Sequence, residues 1–433
     1  MSSRSGCSRI LAPHRAVGLV SDGATPFALQ SLGGEPFVAV SVGHAFQVFE
    51  GTHLRVVAVS QRTRHAITSL ATKGDRTFVG CGQHLSVWER LHPLAPLGKH
   101  KGNIIGQIVL GDVLISLCDK GVLKAWDLLH PSLVGRRHRQ QPHAPHSAPP
   151  SKRLVEEESS DEEKEDGESR HELACTATIE LGAGFEEPTC LAHPDTYLNK
   201  VVIGSKAGKL GLWNFRTGKK VHEFAALTAA SGGAPTSSAV VASIKTRNAE
   251  SGGGGWGGIT CLEPSPALDV CAVGFSKGAV VLMHLRADEV LFVFQAANRA
   301  PCRSMSFRTD GGFAAGTTTT TTGDSSGLNP TLVSAHGDGR VWVWGLAQQQ
   351  LLGEVNAPLP AHEGGAVLKA AFLPKEPVLL TLGADNALKA WIFDGALLGN
   401  ASTSNASMGA AGSRLLRSRE VSESSSNVVP GLM

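Results

Sequence analysis

Short apolar runs recur along this 433-residue chain, each closed by a Gly- or Asp-containing turn and followed by a stretch in which inward apolar and outward polar positions alternate. The run VVIGSKAG at 201–208 leads into GKLGLW, and TLVSAHGDG at 331–339 leads into GRVWVW. A buried strand, a tight turn and an alternating strand read as a β-hairpin. The second strand of each hairpin ends on a large side chain: Trp126 in GVLKAW, Trp213 in GKLGLW, Trp344 in GRVWVW and Trp391 in NALKAW, with Trp88 closing the shorter HLSVW. Two weaker copies end on Phe49 (HAFQVF) and Met283 (GAVVLM).

These closing residues lie 38 to 47 positions apart where no low-complexity stretch intervenes, and 61 to 87 apart where one does. With such stretches set aside, every step approaches a period of about 40 to 45 residues, that of WD40 repeats, whose units each form one four-stranded blade. Seven units predict an all-β fold, a seven-bladed WD40 β-propeller with disordered inserts. The spacing predicts a ring over 15–395, an N-terminal extension over 1–14, and a low-complexity C-terminal tail over 396–433 in which 414–420 (RLLRSRE) is the outer strand of blade seven. Two long inserts interrupt the ring, and a run from Thr317 to Thr322 with Gly-rich flanks extends a hairpin or loop of blade six. The first, about 136–171, runs from RRHRQ into EEESSDEEKEDGE and has too few apolar residues to offset ordering entropy, so it reads as a disordered surface loop. The second, about 228–255, is Gly/Ala/Ser-rich.

Composition then narrows the class. Hydrophobic residues make up 42% of the chain, enough for a large core, whereas a single Tyr and 5% aromatics argue against an extended stacking surface for single-stranded nucleic acid. A net charge of +2 carries no overall polyanion-binding signature. No apolar run reaches about 18 residues, so no membrane span is expected, and the N-terminus has no continuous apolar segment of a signal peptide. The eight cysteines form no C-x-x-C pair, and Cys81, Cys118, Cys261 and Cys271 fall in strand patterns. They read as reduced core residues in a reducing compartment, not as a metal site.

The candidate chemistry is structural. His362, Thr381, Asp385 and Trp391 have the order and spacing of the WD-repeat structural tetrad, in which a buried His bridges a turn Asp and a strand hydroxyl that bonds onward to the Trp indole. A hydrolase reading of the same groups needs an exposed nucleophile and an oxyanion site, which the sequence does not supply, so no enzyme is expected. His100, Ser116 and Trp126 repeat the arrangement in blade three, but Asp119 sits one position early and Lys120 takes its place. Blade six offers Ser334, Asp338 and Trp344 with no matching His upstream. The Gly-rich SGGGGWGG at 251–258 lacks the Lys-Ser/Thr of a phosphate loop, and no cofactor or small-molecule substrate is expected. Ser159 and Ser160, followed by three acidic residues, are candidate sites for an acidophilic kinase.

Several segments are more specific than a WD repeat requires: HPDTYLNKVVIGSKAGKLGLWNFRTGKKVHEF (193–224), ITCLEPSPALDVCAVGFSKGAVVLMHLRADEVLFVF (259–294), SMSFRTDGG (304–312) and FLPKEPVLLTLGADNALKAWIFD (372–394). With 99–128 and RLLRSRE, they resemble the first propeller of the U3 small nucleolar RNA-associated protein twenty-one / WD-repeat protein thirty-six family. The resemblance implies a non-catalytic scaffold subunit of the small-subunit processome, the U3 snoRNP, acting in pre-rRNA processing and 18S rRNA maturation in the nucleolus. The partners it implies are other WD-repeat subunits, with U3 snoRNA or pre-rRNA inside the complex. Members continue into a second propeller, whereas this sequence ends in VSESSSNVVPGLM, so the resemblance also implies an incomplete member. Residues alone leave open a WD40 adaptor elsewhere, such as a ubiquitin-ligase substrate receptor or chromatin reader.

Overall fold

In a computed structural model, the described residues are 20–130, 174–182, 184–232, 255–295, 298–309, 330–357, 359–393 and 413–419. They form seven four-stranded antiparallel sheets, each built from strands consecutive in the chain. The sheets are the blades of a ring, a seven-bladed β-propeller. Blade one spans 28–59, blade two 69–99, blade four 188–223 and blade five 259–295. Blade three joins 104–127 to Cys175–Glu180, blade six joins Cys302–Phe307 to 331–354, and blade seven joins 367–393 to Ser413–Arg419.

The third strand of each blade carries the large residue that marked the repeat, and its alternation places that residue between blades. Trp126, Trp213 and Trp391 are among the largest fully buried side chains, and Phe49 and Met283 fill the weaker copies without exposure. From blade one through blade seven each inner strand packs on the inner strand of the blade that follows it in the chain, and small hydroxyls in or just before these strands cross the gap. Thr25 donates to the Ile67 carbonyl at 2.9 Å, Thr189 to that of Ile259 at 2.7 Å and Ser304 to that of Ala370 at 3.1 Å. At a bulge in the inner strand of blade four the Thr189 hydroxyl spans both sheets, also lying 3.2 Å from the Gly204 carbonyl of its own blade.

Among the described residues no strand is shared where blade one meets blade seven, and side chains join the two blades there. Val20, Phe27 and Val38 bury against Leu373, Leu380 and Leu388 in one apolar cluster. Thr52 donates to Glu376 at 3.4 Å, and the Lys369 ammonium lies 5.3 Å from the Phe27 ring centroid.

Both inserts depart from blades at defined places. Residues of the acidic insert, 136–171, lie outside the described residues, as do Ser159 and Ser160. The Gly/Ala/Ser stretch expected from about 228 begins instead within a helix, Ala225–Gly232. Its first two amides, Ala225 and Ala226, donate to the Asp288 carboxylate of blade five at 2.9 and 3.2 Å, which supplies the capping acceptor that the sequence before the helix lacks. Leu227 on this helix and Trp256 beyond the insert are buried in the same cluster between blades four and five. The Trp256 ring centroid lies 5.3 Å from that of Phe275. Among the described residues no helix is long and apolar enough to cross a membrane.

Candidate functional site

In each blade the link arriving from the previous blade and the turn between the second and third strands meet on one face of the ring, called here the linker face. Backbone bonds fix the pairing: Ile67 N–H donates to the Gly43 carbonyl, Ile104 N–H to that of Gly82, Asp119 N–H to that of Asn103 and Ala384 N–H to that of Ala366. The residues singled out in the sequence converge beneath this face in blade seven.

There His362 is fully buried, and Gly383 leaves room for it: a Cβ on Gly383 would stand 2.3 Å from His362 Nδ1 and 2.4 Å from Asp385 Oδ1. The Trp391 indole N–H donates to Thr381 Oγ1 at 2.9 Å. Thr381 Oγ1 and His362 Nε2 lie 2.8 Å apart, and His362 Nδ1 lies 2.8 Å from Asp385 Oδ1. A carboxylate only accepts, so Nδ1 carries the proton, Nε2 accepts from the Thr381 hydroxyl, and that hydroxyl accepts from the indole. Burial pushes the Asp385 carboxyl up, but the hydrogen bond from His362, helped by the Ala387 amide, outweighs it and holds its pKa below the ordinary value.

Blade three keeps only part of this chain. Trp126 Nε1 donates to Ser116 Oγ at 2.8 Å, and Ser116 Oγ lies 2.7 Å from His100 Nε2. The chain stops there: His100 Nδ1 and Asp119 Oδ1 are both buried with no hydrogen-bond partner. Burial, with Lys124 nearby, pulls the His100 pKa down to about 4, so its imidazole is neutral at pH 7. The Lys124 ammonium donates to the Lys99 carbonyl at 2.8 Å and lies 5.4 Å from the Trp126 ring centroid.

Blade six builds its own version with a residue that sequence reasoning missed. Trp344 Nε1 donates to Ser334 Oγ at 2.8 Å, and the imidazole beyond is His336, whose Nε2 lies 2.9 Å from that hydroxyl. His336 Nδ1 donates to the Ala300 carbonyl at 2.9 Å, so a backbone acceptor replaces the aspartate. Asp338, the expected acceptor, receives the Asn298 side-chain amide instead. The signal was present as Ser-x-His, because residues two apart in a strand share a face.

These hydroxyls are placed for structure rather than attack. Thr381 and Ser334 are fully buried and each accepts an indole N–H. Two neighbouring thiols are as withdrawn. Cys261 and Cys302 lie 3.6 Å apart as free cysteines, and the Cys302 contact together with burial pushes the Cys261 thiol well up, which keeps it protonated and poorly nucleophilic. Among the described residues no group of three or more metal-ligating side chains comes together.

Residues 159–394 match the family model described as WDR36/Utp21 first beta-propeller. The chain belongs to that family. It is 26% identical over 397 residues to WD repeat-containing protein 36 of Homo sapiens, covering 91% of this chain and 34% of that protein. It is 28% identical over 389 residues to U3 small nucleolar RNA-associated protein 21 homolog of Schizosaccharomyces pombe, covering 89% of this chain and 33% of that protein. The chain thus spans about a third of the length of the curated relatives it matches. Among solved structures, a chain of the mitotic checkpoint complex superposes with a TM-score of 0.57 at 12% identity, covering 90% of this chain and 96% of that one. The computationally designed Ika8 protein gives 0.53 at 16% identity, covering 94% and 90%. Both likenesses speak to the fold alone.

Proposed function

We propose that this propeller is a non-catalytic scaffold module of the small-subunit processome, docking neighbouring WD-repeat subunits and supporting pre-rRNA processing and 18S rRNA maturation in the nucleolus. The carrying observation is membership of the WDR36/Utp21 first-propeller family, whose fission-yeast and budding-yeast relatives are named for association with U3 small nucleolar RNA. The architecture fits a scaffold. Strands are committed to packing, which leaves the loops on the two faces and the outer edges as contact surface. The hydrogen-bonded chain of Trp391, Thr381, His362 and Asp385 has a structural role in this reading, holding the linker face of blade seven in one shape for a partner. Ser159 and Ser160 are candidate phosphorylation sites that would add negative charge to the acidic insert.

Affinity purification of the tagged chain, with mass spectrometry and RNA sequencing of what is recovered, tests the proposal. Recovery of U3 RNA with WD-repeat processome proteins is expected. Recovery of ubiquitin-ligase or chromatin subunits in their place would overturn it.

A further inference from the structure

The net charge of +2 conceals an uneven distribution around the linker face. From the link before blade two to the second turn of blade three, the segments 60–68, 82–83, 100–103 and 119–121 carry Arg62, Arg64, Lys101 and Lys120 against one carboxylate, Asp119. In blades four to seven the corresponding described segments carry Lys206, Lys209, Lys277, Arg299 and Arg340, balanced by Glu186, Glu187, Asp338, Glu363 and Asp385. Where the outer strands reach this face, blade two ends on Lys99 and blades four and six end on Glu223 and Glu354, while blade three ends on Glu180, whose carboxylate pairs with Lys101. Arg340 is in addition tied to Glu354 at 2.5 and 2.7 Å.

Within the basic arc, Arg62, Arg64, Lys99, Lys101 and Lys120 are all exposed. Between them the exposed rings of His65 and His84 stack, with centroids 5.7 Å apart and planes 16° from parallel. The backbone holds this arrangement: Thr63 N–H donates to the His44 carbonyl at 2.6 Å and His100 N–H to that of Gln83 at 2.8 Å.

We infer that the linker face from the link before blade two through the second turn of blade three is a docking surface for the phosphate backbone of single-stranded RNA. Cations spread along an arc follow a polyanionic strand, while guanidinium planes and stacked imidazoles offer flat faces to unstacked bases. An acidic protein segment would use the charges but not the ring faces. The inference rests on the proposed processome role for the choice of RNA, and it adds where on the ring the RNA lies.

The test is fluorescence anisotropy of the purified full chain with a labelled, unstructured single-stranded RNA across a salt series. Arg62→Gln with Arg64→Gln should weaken binding about tenfold or more and lower the slope of log affinity against log salt by about 1.4, at roughly 0.7 per lost phosphate contact. Lys277→Gln with Arg299→Gln, an equal charge change on the balanced side of the ring, should leave affinity within about twofold. His84→Ala should weaken binding with the slope unchanged, since it removes a stacking face and no fixed charge. Unchanged melting of each variant excludes misfolding as the cause. Equal loss in both double variants, no RNA binding by the parent chain, or displacement of RNA by poly-glutamate at matched charge would overturn the inference, the last outcome pointing to an acidic protein partner. If the tagged chain recovers processome proteins while the purified chain binds no RNA, the scaffold role stands and the RNA surface falls. If the pull-down finds another complex while the arc binds RNA as described, the reverse holds.

Discussion

Trp391 and Thr381, both fully buried, meet at 2.9 Å with the indole N–H donating to the hydroxyl, and each depends on the other for a partner. Trp391→Ala removes a large core side chain and leaves the Thr381 hydroxyl one donor short. A destabilisation of about 3 to 5 kcal/mol is expected, read from the chemical-denaturation midpoint. An unchanged midpoint would refute the structural role given to this network.

Blades three and seven provide an internal comparison. Asp385 accepts from His362 at 2.8 Å, whereas Asp119 Oδ1 and His100 Nδ1 have no partners. Asp385→Asn should therefore cost about 1 to 3 kcal/mol, and Asp119→Asn no more than about 0.5 kcal/mol. Equal losses in urea unfolding would mean that the blade-three aspartate also supports its histidine.

Ser334→Ala should destabilise blade six by about 1 to 3 kcal/mol, because both the Trp344 indole and the His336 imidazole lose their shared partner inside the core. His336 is held neutral in that pocket, where burial lowers its pKa more than Ala300 and Asp338 raise it. A lowered pKa means that the unfolded chain binds the proton more readily, so this site's contribution is present above pH 6.5 and declines as the pH falls below it. Urea unfolding of His336→Phe and the parent at pH 8 and pH 5 should show a parent advantage that shrinks at pH 5.

Glu263, on the inner strand of blade five, runs the other way. Burial raises its pKa to about 7, with Lys369 of blade seven only partly offsetting the effect. Between pH 4.5 and 7 the folded chain keeps a proton that the unfolded chain has released, so stability falls as pH rises through this window. Glu263→Gln removes that slope. Its stability relative to the parent should increase from pH 4 to pH 8, and a constant difference would show that Glu263 titrates normally in the ring.

The acidic insert is expected to be dispensable for folding. Trp126 and Cys175 are direct register partners, so the chain leaves and re-enters blade three at adjacent points. Deleting 136–167 should preserve a cooperative melting transition, because closing a short or a long loop between fixed, adjacent ends differs little in free energy. A lost transition would assign those residues to the folded core.

The seven blades were legible because a hairpin strand buried on both sides has to end on something large, and that demand writes Trp, Phe or Met at a regular period. Even the weak copies ending on Phe49 and Met283 lie in third strands, Ala45–Glu50 and Ala279–His284. What escaped notice depends on contacts distant in sequence. Trp256 sits among glycines that read as linker, yet it is buried against Phe275. The helix Ala225–Gly232 has a composition suited to a loose insert and takes its capping acceptor from Asp288, in another blade. His336 follows Ser334 by two residues in the same strand, whereas blade seven keeps its histidine upstream of Thr381.

The seam between blades one and seven sets the order in which the molecule can be made. The other six junctions join blades that follow one another in the chain, so each can pack as soon as its second member leaves the ribosome. The seam bond from Thr52 to Glu376 spans 324 positions, and among the described residues no strand crosses over to latch it. An arc of six blades must wait with the apolar flanks of blades one and six uncovered until 367–393 has been translated and can pack between them. Nascent chains are most exposed to aggregation and to chaperone capture in that interval.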